Sequence, residues 1–327
     1  MTEYLFENFM ITKSIIYLAI IFRLLSLNTL ADRFDNAIYK TESDNNIKAN
    51  AASYSLPLPF VNKTPEVDKF VERPNILAKH YILVDMDSNT VILKNGNKDR
   101  VPIASTTKIM TAVVALENYE LNDIVTVSAA AANQAGSDAN LRIGEKITVK
   151  ELLYCLLVKS SNDSAYALAE NLNTQGLSGG VDAFVQQMNL KAKKLGMKDT
   201  NYQDPAGLDV TGTSSASDLY IVTKYAMQNA TFRQMVVTKD YVAKSFDGQT
   251  YHQLENSNRL VKGYDYMGAI GVKTGYMPEA GHCLVSAVKR DGHTLIGVVL
   301  NTYADTATAS ADESKKMMDW GWENIRW

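Results

Sequence analysis

The stretch Ser105–Glu117, STTKIMTAVVALE, decides the architecture. Beyond its first turn it is apolar on nearly every side, the mark of a helix buried in the middle of a domain. A helix of that kind needs packing partners all round it, and the flanking sequence supplies them. Upstream, the runs AKHYILVDMD and NTVILKNG, from Ala78, read as two short β-strands separated by the turn-like Asp87-Ser88-Asn89. Downstream, residues 148–159 (TVKELLYCLLVK) and 163–173 (DSAYALAENLN) read as two helices split by Ser160-Ser161-Asn162. VDAFVQQMNLKAKKLG, ending at Gly196, and SASDLYIVTKYAMQN, opening on serine caps, add two more helices. Late strands are expected at 268–274, 282–289 and 293–301, the last two joined at Asp291-Gly292, followed by an amphipathic helix at about 308–325. Strands at both ends bracketing a helical middle imply an α/β (α+β) fold. One antiparallel sheet is closed by the two ends of the chain and flanked by helices, with an inserted helical region.

With 327 residues, 46% of them hydrophobic, the chain can bury a sizeable core in one large domain or two modest ones. A net charge of -3 and the lack of any long Lys/Arg run argue against nucleic acid or an anionic bilayer as a partner. Cys155 and Cys283 sit in apolar contexts, LLYCLLV and GHCLVSAV, as buried free thiols do, which is favoured over a disulfide between them. His80, His252, His282 and His293 show no metal-ligand spacing, so neither a metal nor a cofactor is expected.

Residues 14–30, SIIYLAIIFRLLSLNTL, follow Lys13 and precede Ala31 and Asp32; their length and apolarity suit export. Residues 1–31 are therefore read as a signal peptide or an N-terminal membrane anchor, and the protein as extracytoplasmic. Glu3 and Glu7 make the leading segment acidic and Arg23 interrupts the apolar run; a start at Met10 removes the first oddity. Residues 32–74 lack periodicity, are rich in Asn, Asp, Ser and Lys, and read as a flexible tether. Residues 75–327 then form one catalytic domain.

Three short constellations carry the chemistry. In Ser105-Thr106-Thr107-Lys108 the spacing i, i+3 lets a serine at a helix start touch a lysine one turn on. A serine hydroxyl needs a base to become a nucleophile, and a lysine serves only when neutral, a state that apolar surroundings and a second cation favour. Alone, S-x-x-K is weak, since an ordinary helix start has the same look. Ser160-Ser161-Asn162, at a helix junction, offers a hydroxyl and an amide to relay protons and bind a substrate amide, although Ser and Asn are also common caps. Lys273-Thr274-Gly275 ends a strand in which Ala269, Gly271, Lys273 and Gly275 share a face that leaves room for a peptide. There Lys273 and Thr274 are placed to bind a terminal carboxylate, and the Tyr276 N–H to join that of Ser105 as an oxyanion hole. In this order and context the three together are specific.

The chain resembles the D-alanyl-D-alanine carboxypeptidases, the low-molecular-mass penicillin-binding proteins of the S11 peptidase family. The likeness covers about residues 76–325 and extends to PIASTTKIMTA, GEKITVKELLYCLLVKSSNDSAYALAE, LGMKDTNYQDPAGLD, NSNRL and GVKTGYMPEAGHCLVSAVKRDGHTLIGVVLN. It implies a β-lactamase/transpeptidase-like fold and a serine-type D-Ala-D-Ala carboxypeptidase of peptidoglycan biosynthesis. The expected roles are Ser105 as nucleophile, Lys108 as acylation base, Ser160 and Asn162 as their partners and Lys273 as anion-binding cation. Peptidoglycan stem peptides are the implied substrates, and penicillins the implied covalent inhibitors. Many relatives continue into a β-rich domain and an amphipathic anchor, whereas MMDWGWENIRW matches the catalytic domain's own last helix, so any membrane attachment is expected through residues 14–30. A DD-endopeptidase is the near alternative. A β-lactamase is less favoured, because no E-x-x-L-N follows the second motif, and a non-catalytic peptidoglycan-binding module is less favoured too.

Overall fold

Five antiparallel strands organise the molecule. In chain order the labelled strands are β1 (Ala78–Asp85), β2 (Thr90–Asn95), β3 (Asp240–Lys244), β4 (Tyr251–Glu255), β5 (Ala269–Met277), β6 (Gly281–Arg290) and β7 (His293–Thr302). The main sheet runs β5-β6-β7-β1-β2, with Leu295 opposite Asp85 and Leu300 opposite His80, so early and late chain meet at its centre as the sequence implies. This computed structural model describes residues 64–67, 70–172, 179–303 and 306–327. The expected signal or anchor segment, and the tether up to residue 63, lie outside the described residues.

The pleat divides the sheet between two cores. Ile82, Val84, Val285, Ala287, Ile296 and Val298 join the larger cluster, while Leu83, Leu284, Val288, Leu295 and Val299 join a second one with Met317, Met318 and Trp320. The helices that cover these faces are α1 (Lys108–Asn118), α2 (Val149–Tyr154), α3 (Asn162–Glu170), α4 (Val181–Leu195), α5 (Ala216–Ala226), α6 (Ala230–Val236) and α7 (Ala309–Asn324). Every residue of α1 from Lys108 to Ala115 is buried, as the all-round apolar pattern requires. Each large aliphatic side chain so placed contributes about 1.5–3 kcal/mol, which offsets the entropy of ordering the helix. No helix among the described residues is long and apolar enough to cross a membrane.

Several local readings shift. Ser105 lies in a 3-10 turn, Ala104–Thr107, ahead of α1. The helix expected at 148–159 is α2 followed by a π-turn, Cys155–Lys159, which ends at Ser160 in the left-handed region, φ 71°. Strand β5 has a register shift between Ala269 and Gly271, so the expected face of Ala269, Gly271, Lys273 and Gly275 is broken. The β3/β4 hairpin and α6 are additional elements. The chain also joins the fold ahead of residue 75: Glu66 and Val67 pair with Arg326 and Ile325, and Trp320 Nε1 donates to the Glu72 carbonyl at 2.8 Å.

Candidate active site

Two glycines let three separate segments converge on Ser105. Gly275 of β5 passes so near the 3-10 turn that a Cβ there would stand 3.0 Å from the Ile103 oxygen and 3.1 Å from the Ser105 nitrogen. Gly207, at φ +78°, presses on the other side, where a Cβ would come 2.0 Å from the Ala104 oxygen. The loop that carries Gly207 is wound around a buried carboxylate. Asp204 Oδ1 accepts from the N–H groups of Ala206 and Gly207, both at 2.6 Å, and Oδ2 from those of Leu208 and Asp209 at 2.9 and 2.8 Å. That winding points the Ala206 carbonyl at Lys108.

Lys108 is 0% exposed, and its Nζ has three oxygen neighbours: Ser105 Oγ at 2.8 Å, Asn162 Oδ1 at 2.7 Å and the Ala206 carbonyl at 2.8 Å. Burial lowers its pKa from 10.5 to about 7, against the opposing pull of Asp204 and Asp163. The amine is thus poised between its two protonation states near neutral pH. In the neutral state it keeps two N–H donors, enough for Asn162 and Ala206, and turns a lone pair toward Ser105.

The π-turn sets the second motif. Ser161 N–H donates to the Cys155 carbonyl at 3.1 Å, and the left-handed turn at Ser160 brings Asn162 to the start of α3. The Asn162 amide is oriented by its partners: Oδ1 faces Lys108, while Nδ2 donates to the Ala135 carbonyl at 2.6 Å. The Ser160 hydroxyl makes no hydrogen bond to another described residue and lines the cleft beside Ser105.

That cleft has a volume of about 520 Å³. Thr274, Gly275 and Tyr276 form one wall, and Ser257 Oγ lies 2.8 Å from Thr274 Oγ1. Lys159 and Arg259 line it, and no Asp or Glu does so among the described residues. Lys273 stands behind the wall, 1% exposed, its Nζ donating to the Thr274 carbonyl at 3.0 Å. Burial drives its pKa well down, and Lys108 adds to that.

A buried lysine against a serine at a helix start, an asparagine from a helix junction and a lysine on the adjoining strand form one constellation, and comparison with known proteins places it. The sequence model of Peptidase_S11, D-alanyl-D-alanine carboxypeptidase, matches residues 67–304. The chain belongs to the S11 family. Among its S11 relatives, the D-alanyl-D-alanine carboxypeptidase DacF of Bacillus subtilis is 36% identical over 249 residues, which cover 74% of this chain and 61% of DacF. The D-alanyl-D-alanine endopeptidase of Escherichia coli is 32% identical over 246 residues, 74% of this chain and 77% of that protein. The crystal structure of the Streptomyces K15 DD-transpeptidase superposes with a TM-score of 0.71 at 36% identity, covering 77% of this chain and all of that one. The fold is therefore the penicillin-binding, transpeptidase-like one that the sequence implies.

Of the expected site residues, the S11 fold brings Ser105, Lys108 and Asn162 into direct contact and sets Ser160, Thr274, Gly275 and Tyr276 around the same cleft. It leaves Lys273 out of the cleft, where Arg259 is present instead. Sequence reasoning missed Arg259, Asp204 and the Ala206 carbonyl. Asp204-Pro205-Ala206-Gly207 carried a turn signal for the last two, whereas Arg259 stood inside the family-like NSNRL with no role given to it.

Proposed function

We propose that this S11 enzyme is a serine-type D-Ala-D-Ala carboxypeptidase that removes the terminal D-Ala of peptidoglycan stem pentapeptides through an acyl-enzyme on Ser105. The observation that carries the reading is the 2.8 Å contact of Ser105 Oγ with a lysine whose pKa is lowered to about 7. Neutral Lys108 takes the Ser105 proton as Oγ attacks the carbonyl of the penultimate D-Ala. The oxyanion falls to the N–H groups of Ser105 and Tyr276. The carbon–nitrogen bond then breaks, the proton held by Lys108 passes through the Ser160 hydroxyl to the departing amine, and D-Ala leaves. Water, deprotonated by Lys108, hydrolyses the ester. Arg259 and Thr274 bind the terminal carboxylate, Lys273 braces the wall behind them through its bond to the Thr274 carbonyl, and Asn162 holds both Lys108 and the substrate amide.

A penicillin acylates Ser105 in the same way, but its amine stays attached and blocks the water, so release is slow. The loop at 204–209 offers no replacement base, because the Asp204 oxygens are spent on four backbone N–H groups and Asp209 accepts from Thr211 and does not line the cleft. Residues 1–31, as a signal peptide or a membrane anchor, would carry the enzyme across the membrane, with the tether expected at 32–74 leading into the catalytic domain, an extracytoplasmic placement that fits a wall substrate. Labelling with fluorescent penicillin followed by peptide mapping tests the reading: one adduct on Ser105 is expected, and its absence in the folded protein overturns it.

The likeness to the E. coli endopeptidase favours a second reading, cleavage of D-Ala-containing cross-links by the same residues. Assays on linear pentapeptide and on cross-linked muropeptides separate the two.

A further inference from the structure

His252, on β4, is buried and lies outside the cleft. Its Nδ1 is 2.8 Å from the Ala139 carbonyl oxygen, and its Nε2 is 2.8 Å from Glu145 Oε1. A neutral imidazole has one N–H and so satisfies one of two oxygen acceptors; the imidazolium satisfies both. The other Glu145 oxygen accepts the Arg142 N–H at 2.9 Å, and the His252 and Glu145 side chains are 2% and 4% exposed.

These bonds clamp residues 135–145, the segment on which the second motif leans. The Ala135 carbonyl accepts from Asn162 Nδ2 at 2.6 Å, and the Ser137 carbonyl accepts from the Asn162 N–H at 2.7 Å. Ala139 is gripped from both ends: its N–H donates to Asp163 at 3.0 Å and its carbonyl faces His252. Leu141 N–H donates to the same carboxylate at 3.0 Å, and Gly136 and Ser137 line the cleft. Hydrogen bonds at both ends, joined by the backbone of residues 135–139, thus connect Glu145 and His252 to Asn162 and Lys108.

We propose that His252, paired with Glu145, is a positioning residue for acylation of Ser105, fixing residues 135–145 so that Asn162 presents its oxygen to Lys108. The inference rests on the reading of Ser105 and Lys108 as nucleophile and base. Burial disfavours charge on both partners, yet Glu145 raises the His252 pKa above its usual value, with help from the Ala139 carbonyl and Asp163. His252 in turn holds the Glu145 carboxyl below its usual value. Glu145 and Asp163 are the acids that face His252, Arg142 adds positive charge beyond Glu145, and the Cys155 thiol nearby is pushed well up by burial. Asp163 acts on Lys108 as well, so removing the His252 charge leaves that carboxylate to hold the Lys108 proton more tightly.

The test measures the rate of fluorescent-penicillin labelling against pH for the full chain and for His252→Gln. The variant is expected to lose about 10- to 100-fold in the plateau rate and to shift its acidic limb to higher pH. A cooperatively folding variant that labels at the wild-type rate overturns the proposal, as does one that is slower with an unmoved limb. Nitrogen-15 NMR of the wild-type imidazole at pH 7 needs no variant to fold: two protonated ring nitrogens are expected, and a neutral tautomer overturns the proposal. If the wild type is not labelled at Ser105, the nucleophile reading fails, while the NMR still decides the clamp.

Discussion

Lys108 Nζ lies 2.7 Å from Asn162 Oδ1, joining the start of α1 to the start of α3 across 54 positions of sequence. The bond fixes one N–H of the amine, the Ala206 carbonyl fixes another, and the third direction is left for Ser105. Orientation and basicity of Lys108 are thereby set by different parts of the chain: the bonds by α3 and the 204–209 loop, the lowered pKa by burial.

Acylation should follow the neutral fraction of Lys108. Its folded pKa is lowered from 10.5 to about 7, so the rate is low below that pH, rises through it and levels above it. Lys108→Ala should cost about 10²- to 10⁴-fold at the plateau and abolish the rise. Stopped-flow acylation by a chromogenic penicillin across pH 5–9 provides the measurement, the range chosen to lie about two units either side of that pKa.

Asn162→Ala should slow acylation about 10²-fold by leaving Lys108 free to turn away from Ser105. It also strands the Ala135 carbonyl, at a cost of about 1–3 kcal/mol in stability. Denaturant unfolding and labelling rates on the same preparation separate the two effects.

Substitution at the two close glycines should rank by the room each has. Gly275→Ala brings a methyl against the Ser105 nitrogen and the Ile103 oxygen, so labelling should fall sharply with a stability loss near the overpacking value of about 1–3 kcal/mol. Gly207→Ala adds the left-handed backbone penalty to a Cβ only 2.0 Å from the Ala104 oxygen and should lower the melting temperature more. Thermal melts and labelling of the two variants test the order.

Arg259→Leu should raise KM for peptides ending in a free carboxylate about tenfold or more, the loss expected of a charge-assisted hydrogen bond of about 1.5–3 kcal/mol. Peptides ending in a carboxamide should discriminate little between variant and wild type. Arg259 is exposed, so the melting temperature should stay close to wild type.

Much of the fold was legible because burial leaves a periodic trace. The all-round apolar run after Ser105 specified α1, and the late strands fell within about three residues of β5, β6 and β7. The i, i+3 spacing suggested the Ser105–Lys108 contact, whereas a role for Asn162 beside them came from the order of the three motifs and the family resemblance. Other features leave no such trace. A π-turn differs from an α-helix by one hydrogen-bond step inside the same apolar run, so Cys155–Lys159 read as plain helix. Alternation along β5 gives the face of Lys273 but not its depth, and the register shift breaks the face itself. Arg259 lies in a loop without period, where only the folded chain shows that its side chain reaches the cleft.

The adjacency of β1 and β7 also bears on time. Leu295 pairs with Asp85, and Gly275 abuts the Ser105 turn, so the pocket closes only when late chain has docked on early chain. Contacts of such long sequence separation form late, after loop-closure entropy has been met. A half-made chain thus carries Ser105 and Lys108 with no β5 wall to hold an acyl group. Covalent capture by a penicillin therefore works as a clock for this protein: it marks the moment when the fold is complete, later than any signal of helix or strand.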